Sequence, residues 1–548
     1  MAAIQVEQFL SRSHLHAEFN IMLFVLRFVF ALGNALCFIV NTLVNLLLPR
    51  RLPDYPPIQD ALLLKSVGEL VVELRQKKIT AQQLVQAYIA RIQTVNGSLN
   101  AVLDDRFEQA LKEAAHADGL IAKANDEQLI ALFRRYPLLG IPFTVKESAG
   151  VKGLSFVVGN IYRKNLKCER DNEIVERLRS AGCIPLLVSA NPEFCMSYET
   201  NSKMYGKCRN PYDLNRVSGG SSGGEGALNG AGASVFGFGS DIGGSIRLPS
   251  MFCGVFGHKP TGGLLSIKGS FPYSDDPTFA QYLASGPITR FAKDLPILMQ
   301  VMAGEDVKKL KFDEPIQLKN IKIYYAYGFE GFAAFMHQPT DFDIQLAITR
   351  AVKCFQKGGL TTEQIKLEKF VHAREIGLSA LAELKGIPSI TKEAKPEVSK
   401  LIWQLILSLF GLSVHNRDAV IMEWIRTKKI YLNDEQAADF RTEREALKEE
   451  LVKMLGDNGV LILPTFPTSA FGFYTSTLNL VGVDLMLMFN ILGFPATHVP
   501  MGLDHRGLPI GFQVVAAPYQ DKLCLQIAAE LEGAFGGWVP PLQHDIKT

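Results

Sequence analysis

The chain of 548 residues is 47% hydrophobic and 9% aromatic, enough to bury a large core, and its 57 basic and 55 acidic residues leave a net charge of +2. That near-balance excludes the broad basic field of a nucleic-acid binder. Its eight cysteines form no C-x-x-C or zinc spacing, and no HExxH, EF-hand or Walker A pattern occurs, so no metal, no nucleotide and no other cofactor is expected, only reduced and mostly buried thiols.

Residues 1–19 read as an N-terminal tail. The apolar run from Ile21 to Leu48 is interrupted by Arg27, Asn34, Asn41 and Asn45 and ends at Pro49-Arg50-Arg51. A stretch of about 20 apolar residues spans a bilayer, so 20–48 predicts a transmembrane anchor. A cleaved signal peptide is the rival, with small residues at Ala31-Leu32-Gly33, but a run that continues to Leu48 is too long for a signal core. Arg50 and Arg51 favour a cytosolic catalytic domain on an endomembrane such as the endoplasmic reticulum. Residues 49–60 read as a linker, and 61–540 carries no composition break, which predicts one large α/β domain.

Thr80-Ala81-Gln82-Gln83 is a capping-box signal leading into a helix with Leu84, Val85, Tyr88, Ile89 and Ile92 on one face. Pro137 to Glu147 contains an apolar, strand-like run that carries Lys146 at its end. Alone, such a lysine is an ordinary solvated residue; buried, it loses its proton more readily and becomes a base. Glu173 to Ser180 reads as a helix closed by Gly182, followed by a strand at Ile184 to Val188.

The stretch Val217 to Gly244 is rich in glycine and serine and runs into Ser245-Ile246-Arg247. A flexible linker would have this composition but not the interleaved Leu228, Val235, Phe236, Phe238 and Ile242, which predict a short helix after Ser222 and a buried strand near Ala233 to Phe238. Small residues let backbone N–H groups converge on an oxyanion, as acyl transfer requires. Gly219-Gly220-Ser221-Ser222-Gly223 matches a G-x-S-x-G nucleophile elbow, yet Asn210 to Arg216 before it is turn chemistry rather than the required strand. Further on, the 14 residues Leu401 to Val414 are apolar almost all round, too short to span a bilayer; they fit a buried core helix or a membrane-interfacial one.

In order and spacing, L-G-I-P-F-T-V-K, G-G-S-S-G-G, S-D-I-G-G-S-I-R-L-P-S and G-H-K-P-T-G resemble the amidase signature family. Lys146 precedes Ser245 by 99 residues and Ser221 precedes it by 24, and the likeness runs from about residue 60 to about residue 535. The resemblance implies one large mixed β-sheet covered by α-helices and a Ser-Ser-Lys triad. Ser245 would be the nucleophile, Lys146 the base and Ser221 the hydroxyl bridge, with Ser222 and Ser218 as rivals for the bridge. An oxyanion hole would come from the backbone N–H groups of Ile242, Gly243, Gly244 and Ser245. Asp241 and Arg247 read as a structural ion pair bracing the loop.

With the anchor and the apolar segment at 401–414, the chain is most similar within that family to the fatty-acid amide hydrolases. That likeness implies a lipid amide substrate and a bilayer as partners, no nucleic acid, and leaves a homodimer open. Met486, Met488, Phe489 and Leu492 either line an acyl channel or pack as ordinary core. Other amidases, for aryl or amino-acid amides or within a tRNA amidotransferase, and a non-catalytic lipid-binding protein of this fold are the alternatives.

Overall fold

A computed structural model describes residues 28, 31–330, 334, 337–391, 397–428 and 434–542. The strands are β1 (Val102–Asp105), β2 (Pro142–Lys146), β3 (Ile184–Ser189), β4 (Asn201–Ser202), β5 (Gly206–Lys207), β6 (Phe236–Asp241), β7 (Phe256–Lys259), β8 (Ala284–Thr289), β9 (Lys322–Tyr325), β10 (Thr361–Gln364), β11 (Gly459–Pro464), β12 (Ala496–Leu503) and β13 (Pro509–Ala516). Eleven of them form one sheet in the order β1-β3-β2-β6-β8-β7-β12-β13-β11-β9-β10, and β4 and β5 make a small hairpin. The sheet is mixed: β3, β2 and β6 run parallel, as do β11, β9 and β10, and an antiparallel block lies between them.

Strands β2 and β3 are buried along their whole length, so both read as unbroken apolar runs rather than alternating ones. The helix Ala81–Leu99 starts where its sequence places it. Thr80 Oγ1 accepts from the Gln83 N–H at 3.0 Å, and Gln83 Oε1 accepts from the Thr80 N–H at 2.9 Å. Its buried face carries Leu84, Val85, Tyr88, Ile89 and Ile92.

The glycine-serine stretch is packed core, not linker. It forms the helix Gly223–Gly230 and the strand β6, and two of its glycines sit where there is no room for a side chain. A Cβ on Gly237 would lie 1.9 Å from Glu225 Oε2, and one on Gly224 would lie 2.4 Å from the Ala190 backbone nitrogen. A side chain at Gly224 would push the helix off the backbone that follows β3, and one at Gly237 would displace the Glu225 carboxylate.

Of the expected anchor, 20–27 and 29–30 lie outside the described residues; 31–47 is helical. Among the described residues no helix is long and apolar enough to cross a membrane. Residues 31–47 instead lie against the domain by one face, where Asn41 Nδ2 donates to Asn479 Oδ1 at 2.9 Å and Arg216 Nη1 donates to Asn45 Oδ1 at 2.7 Å. The other face leaves Leu32, Leu36, Phe38, Ile39, Leu43, Leu46 and Leu47 exposed.

The apolar segment expected at 401–414 is helical only over Val398–Leu409 and breaks near Gly411, whose φ of +72° suits glycine. Leu401 is buried, while Ile402, Trp403, Ile406, Phe410 and Leu412 face outward. A core helix would have hidden these residues, so the segment is an exposed apolar ridge.

Candidate active site

Lys146 is the last residue of β2 and is fully buried. Its Nζ donates to Ser221 Oγ at 2.7 Å and to Ser240 Oγ at 3.1 Å. Burial holds the amine below the usual lysine range, against the opposing pull of Cys195, Asp241 and Glu225. Glu225 lies on the adjacent helix, where burial pushes its carboxyl up to about 7 and Thr144 Oγ1 donates to it at 2.5 Å.

The serines near Ser221 point elsewhere. Ser222 Oγ donates to the Ser240 carbonyl at 3.4 Å, and Ser218 Oγ donates to the Cys208 carbonyl at 3.4 Å. The Ser222 N–H donates to the Ser245 carbonyl at 3.2 Å, which ties the two serine-bearing segments together. The Gly220–Ser221 peptide is cis.

Ser245 follows the turn that leaves β6, and the backbone of that turn is held from both sides. Asp241 Oδ1 accepts from the Gly244 N–H at 2.7 Å and Oδ2 accepts from the Ile246 N–H at 3.1 Å. The Tyr198 hydroxyl donates to the Gly243 carbonyl at 2.5 Å. Arg247 in turn grips Asp241 through Nε at 3.1 Å and Nη2 at 3.0 Å, and also reaches Gln513 Oε1, Asn490 Oδ1 and the Met486 carbonyl. Burial would raise the Asp241 carboxyl, yet the Arg247 guanidinium holds it well below the usual carboxylate range. Asp241 and Arg247 are thus a fully buried pair that braces the loop.

The two loop glycines are not equivalent. A Cβ on Gly244, whose φ is +109°, would meet Met486 Sδ at 2.4 Å, whereas one on Gly243 has no neighbour nearer than 3.7 Å. Gly244→Val is therefore expected to lower kcat by on the order of 10²–10³, while Gly243→Ala costs far less. Steady-state kinetics of the two variants checks this; equal losses would mean that backbone conformation at Gly244 is not what matters.

Two apolar cavities meet at this turn. One, of about 350 Å³, is bordered by Ser245, Tyr198, Ile242, Leu378, Ile421 and Val483, among others. The second, of about 160 Å³, touches Ser240 and Phe271 and shares Cys195, Met196, Ile242 and Leu381 with the first. Neither is lined by Met486, Met488, Phe489 or Leu492: these four are core, and Val483 and Leu487 from the same region face the larger cavity instead. Among the described residues no histidine borders either cavity.

Sequence reasoning did not single out Ser240, Tyr198, Glu225 or Cys195. Ser240 sits inside the S-D-I-G-G-S string, so its signal was present, but a strand serine has no mark that separates a lysine partner from a filler. Tyr198 and Cys195 reach the turn from a segment about 50 residues away in sequence, and only the fold brings them there.

The fold thus brings a buried lysine, a serine hydrogen-bonded to it and a braced turn carrying a second serine into one region. The chain belongs to the amidase family, whose described domain matches residues 83–525, and it is an amide hydrolase. It is 37% identical over 534 residues to fatty-acid amide hydrolase 2 of Homo sapiens, covering 95% of this chain and 98% of that protein. A glutamyl-tRNA(Gln) amidotransferase subunit of Marinomonas sp. is 29% identical over 491 residues, covering 85% of this chain and 96% of that one. A solved structure of a fatty acid amide hydrolase superposes with a TM-score of 0.66 at 18% identity, covering 87% of this chain and 86% of that one, and so shares the fold.

Proposed function

We propose that this chain hydrolyses long-chain fatty acid amides to fatty acid and amine, working at a membrane through an acyl-Ser245 intermediate. The observation that carries this reading is that Ser245 opens into an almost wholly apolar cavity, a surface made for a hydrocarbon chain. The similarity to fatty-acid amide hydrolase 2 supports the same substrate class.

In this reading Ser245 Oγ attacks the amide carbonyl and passes its proton to Ser221, whose own proton moves to the neutral Lys146 amine. The 2.7 Å contact between Lys146 and Ser221 suits that relay, since a hydroxyl both accepts and donates. The oxyanion faces the N–H groups of Ile242, Gly243 and Ser245. The Gly244 N–H, expected to join them, is already committed to Asp241. The stored proton returns to the leaving amine through Ser221, and water then cleaves the acyl-serine ester to release the acid and restore Ser245.

Membrane association is part of the proposal. Fully burying a large apolar side chain is worth roughly 1.5–3 kcal/mol, so the uncovered faces of 31–47 and Val398–Leu409 are costly in water and favourable in lipid.

Hydrolysis of oleamide and fatty acid ethanolamides, set beside short aryl and amino-acid amides and assayed in detergent, tests the substrate class. A kcat/KM higher for the long-chain amides by on the order of tenfold or more is expected from cavity burial. A preference for the short amides would replace this reading with an aryl or amino-acid amidase, and no turnover of any amide would favour a binding protein.

A further inference from the structure

The helix at 31–47 has two unlike faces, and the inner one belongs to the active-site region. Gly33, Cys37, Asn41 and Val44 recur at spacings of four, four and three, which puts them on one side of the helix. Cys37 Sγ and Asn41 Nδ2 both reach Asn479 Oδ1, at 3.5 and 2.9 Å, and Asn479 Nδ2 donates back to Asn41 Oδ1 at 3.3 Å. Asn479 is fully buried and held by Thr475, with its Nδ2 donating to the Thr475 carbonyl at 3.0 Å. Near the far end of the helix Val44 packs on Gly472, and Asn215 Nδ2 donates to the Pro49 carbonyl at 2.9 Å.

The segment on which the helix is fastened is itself a wall of the larger cavity, supplying Thr477, Leu478, Leu480, Val481 and Val483. Gly33 also borders that cavity, together with Ser245. Among the described residues, a Cβ built on Gly33 meets no atom within 4 Å. The only non-hydrogen atoms this residue presents are backbone, and the space in front of it is open.

We propose that the 31–47 helix is a wall of the nucleophile's cavity and that Gly33 sets how much bulk that cavity admits. The helix is then part of the substrate site as well as an apolar surface on the outside of the protein. A side chain at position 33 would enter the open space and compete with the substrate's larger group. This rests on the reading of Ser245 as the nucleophile, and the Asn41–Asn479 pair is what keeps the wall in register.

The test uses the full chain in detergent and two fluorophosphonate probes, one with a short alkyl chain and one with a long chain. Second-order labelling rates are measured for wild type and for Gly33→Ala, Gly33→Leu and Gly33→Trp. The ratio of long-probe to short-probe rate is expected to fall stepwise with side-chain volume, by about tenfold or more at tryptophan. Asn41→Ala, which loosens the wall without filling it, is expected to change the same ratio in the opposite direction or leave it above that of the tryptophan variant. A ratio that stays flat across the three Gly33 variants overturns the proposal, as does equal slowing of both probes in the alanine and leucine variants. Failure of the parent reading looks different: if Ser245→Ala still labels with either probe, the nucleophile is wrong, and if wild type ignores long-chain amides while the probe ratio still tracks position 33, only the substrate class is wrong.

Discussion

Ser245→Ala is expected to abolish fluorophosphonate labelling and to reduce amide hydrolysis by on the order of 10⁵–10⁶ in kcat. Without Oγ no acyl-enzyme forms, and the braced turn can only polarise the carbonyl for attack by water. The variant keeps a small side chain at a buried position, so its folding should be close to wild type, which a thermal melt verifies. Undiminished labelling would remove Ser245 as nucleophile. A residual rate that is high but insensitive to the probe would instead point to direct water attack in the native enzyme.

Lys146→Ala should lower kcat/KM by on the order of 10²–10⁴, the usual span for a positioned base, and should slow labelling to a similar degree. The pH profile is the sharper measurement. The base must be neutral, so activity is lost as pH falls through the pKa of Lys146 and is regained as pH rises. Burial places that pKa below the usual lysine range, so the acid limb of kcat/KM lies at lower pH than a free lysine would give. In Lys146→Ala the limb should flatten, because the group that titrates is gone. A limb that persists unchanged in the variant would assign the titration elsewhere, with the Glu225 carboxyl the first place to look, since burial pushes it up to about 7.

The elements that sequence made legible are those with local causes. The capping box at Thr80, the helix Glu173–Ser180 and the strand β3 follow from side chains next to one another in the chain. Lys146 was picked out by the likeness of the surrounding motifs to the amidase signature family; on its own, a lysine at the end of an apolar run reads as an ordinary solvated residue. The cavities were not legible, because their linings come from widely separated segments that only the tertiary fold assembles. The N-terminal run is the instructive case. Asn34, Asn41 and Asn45 look like flaws in a membrane span, yet their spacings of seven and four place them on one helix face, and two of them bond to the domain. Hydropathy counts the interruptions without asking where they point.

The pairing of β2 with β6 has a consequence for how this enzyme should fail. Lys146 leaves the end of β2, Ser240 lies near the end of the neighbouring parallel strand, and the two are in register through Thr144–Gly237 and Val145–Phe238. Their separation is fixed by the distance between adjacent strands in the middle of the sheet, not by the set of a mobile loop. On heating, the Lys146–Ser240 contact has no weak joint of its own. Loss of that contact should then track the melting of the sheet, and any inactivation ahead of the melt would have to start in the bend of Ser221 or the turn of Ser245.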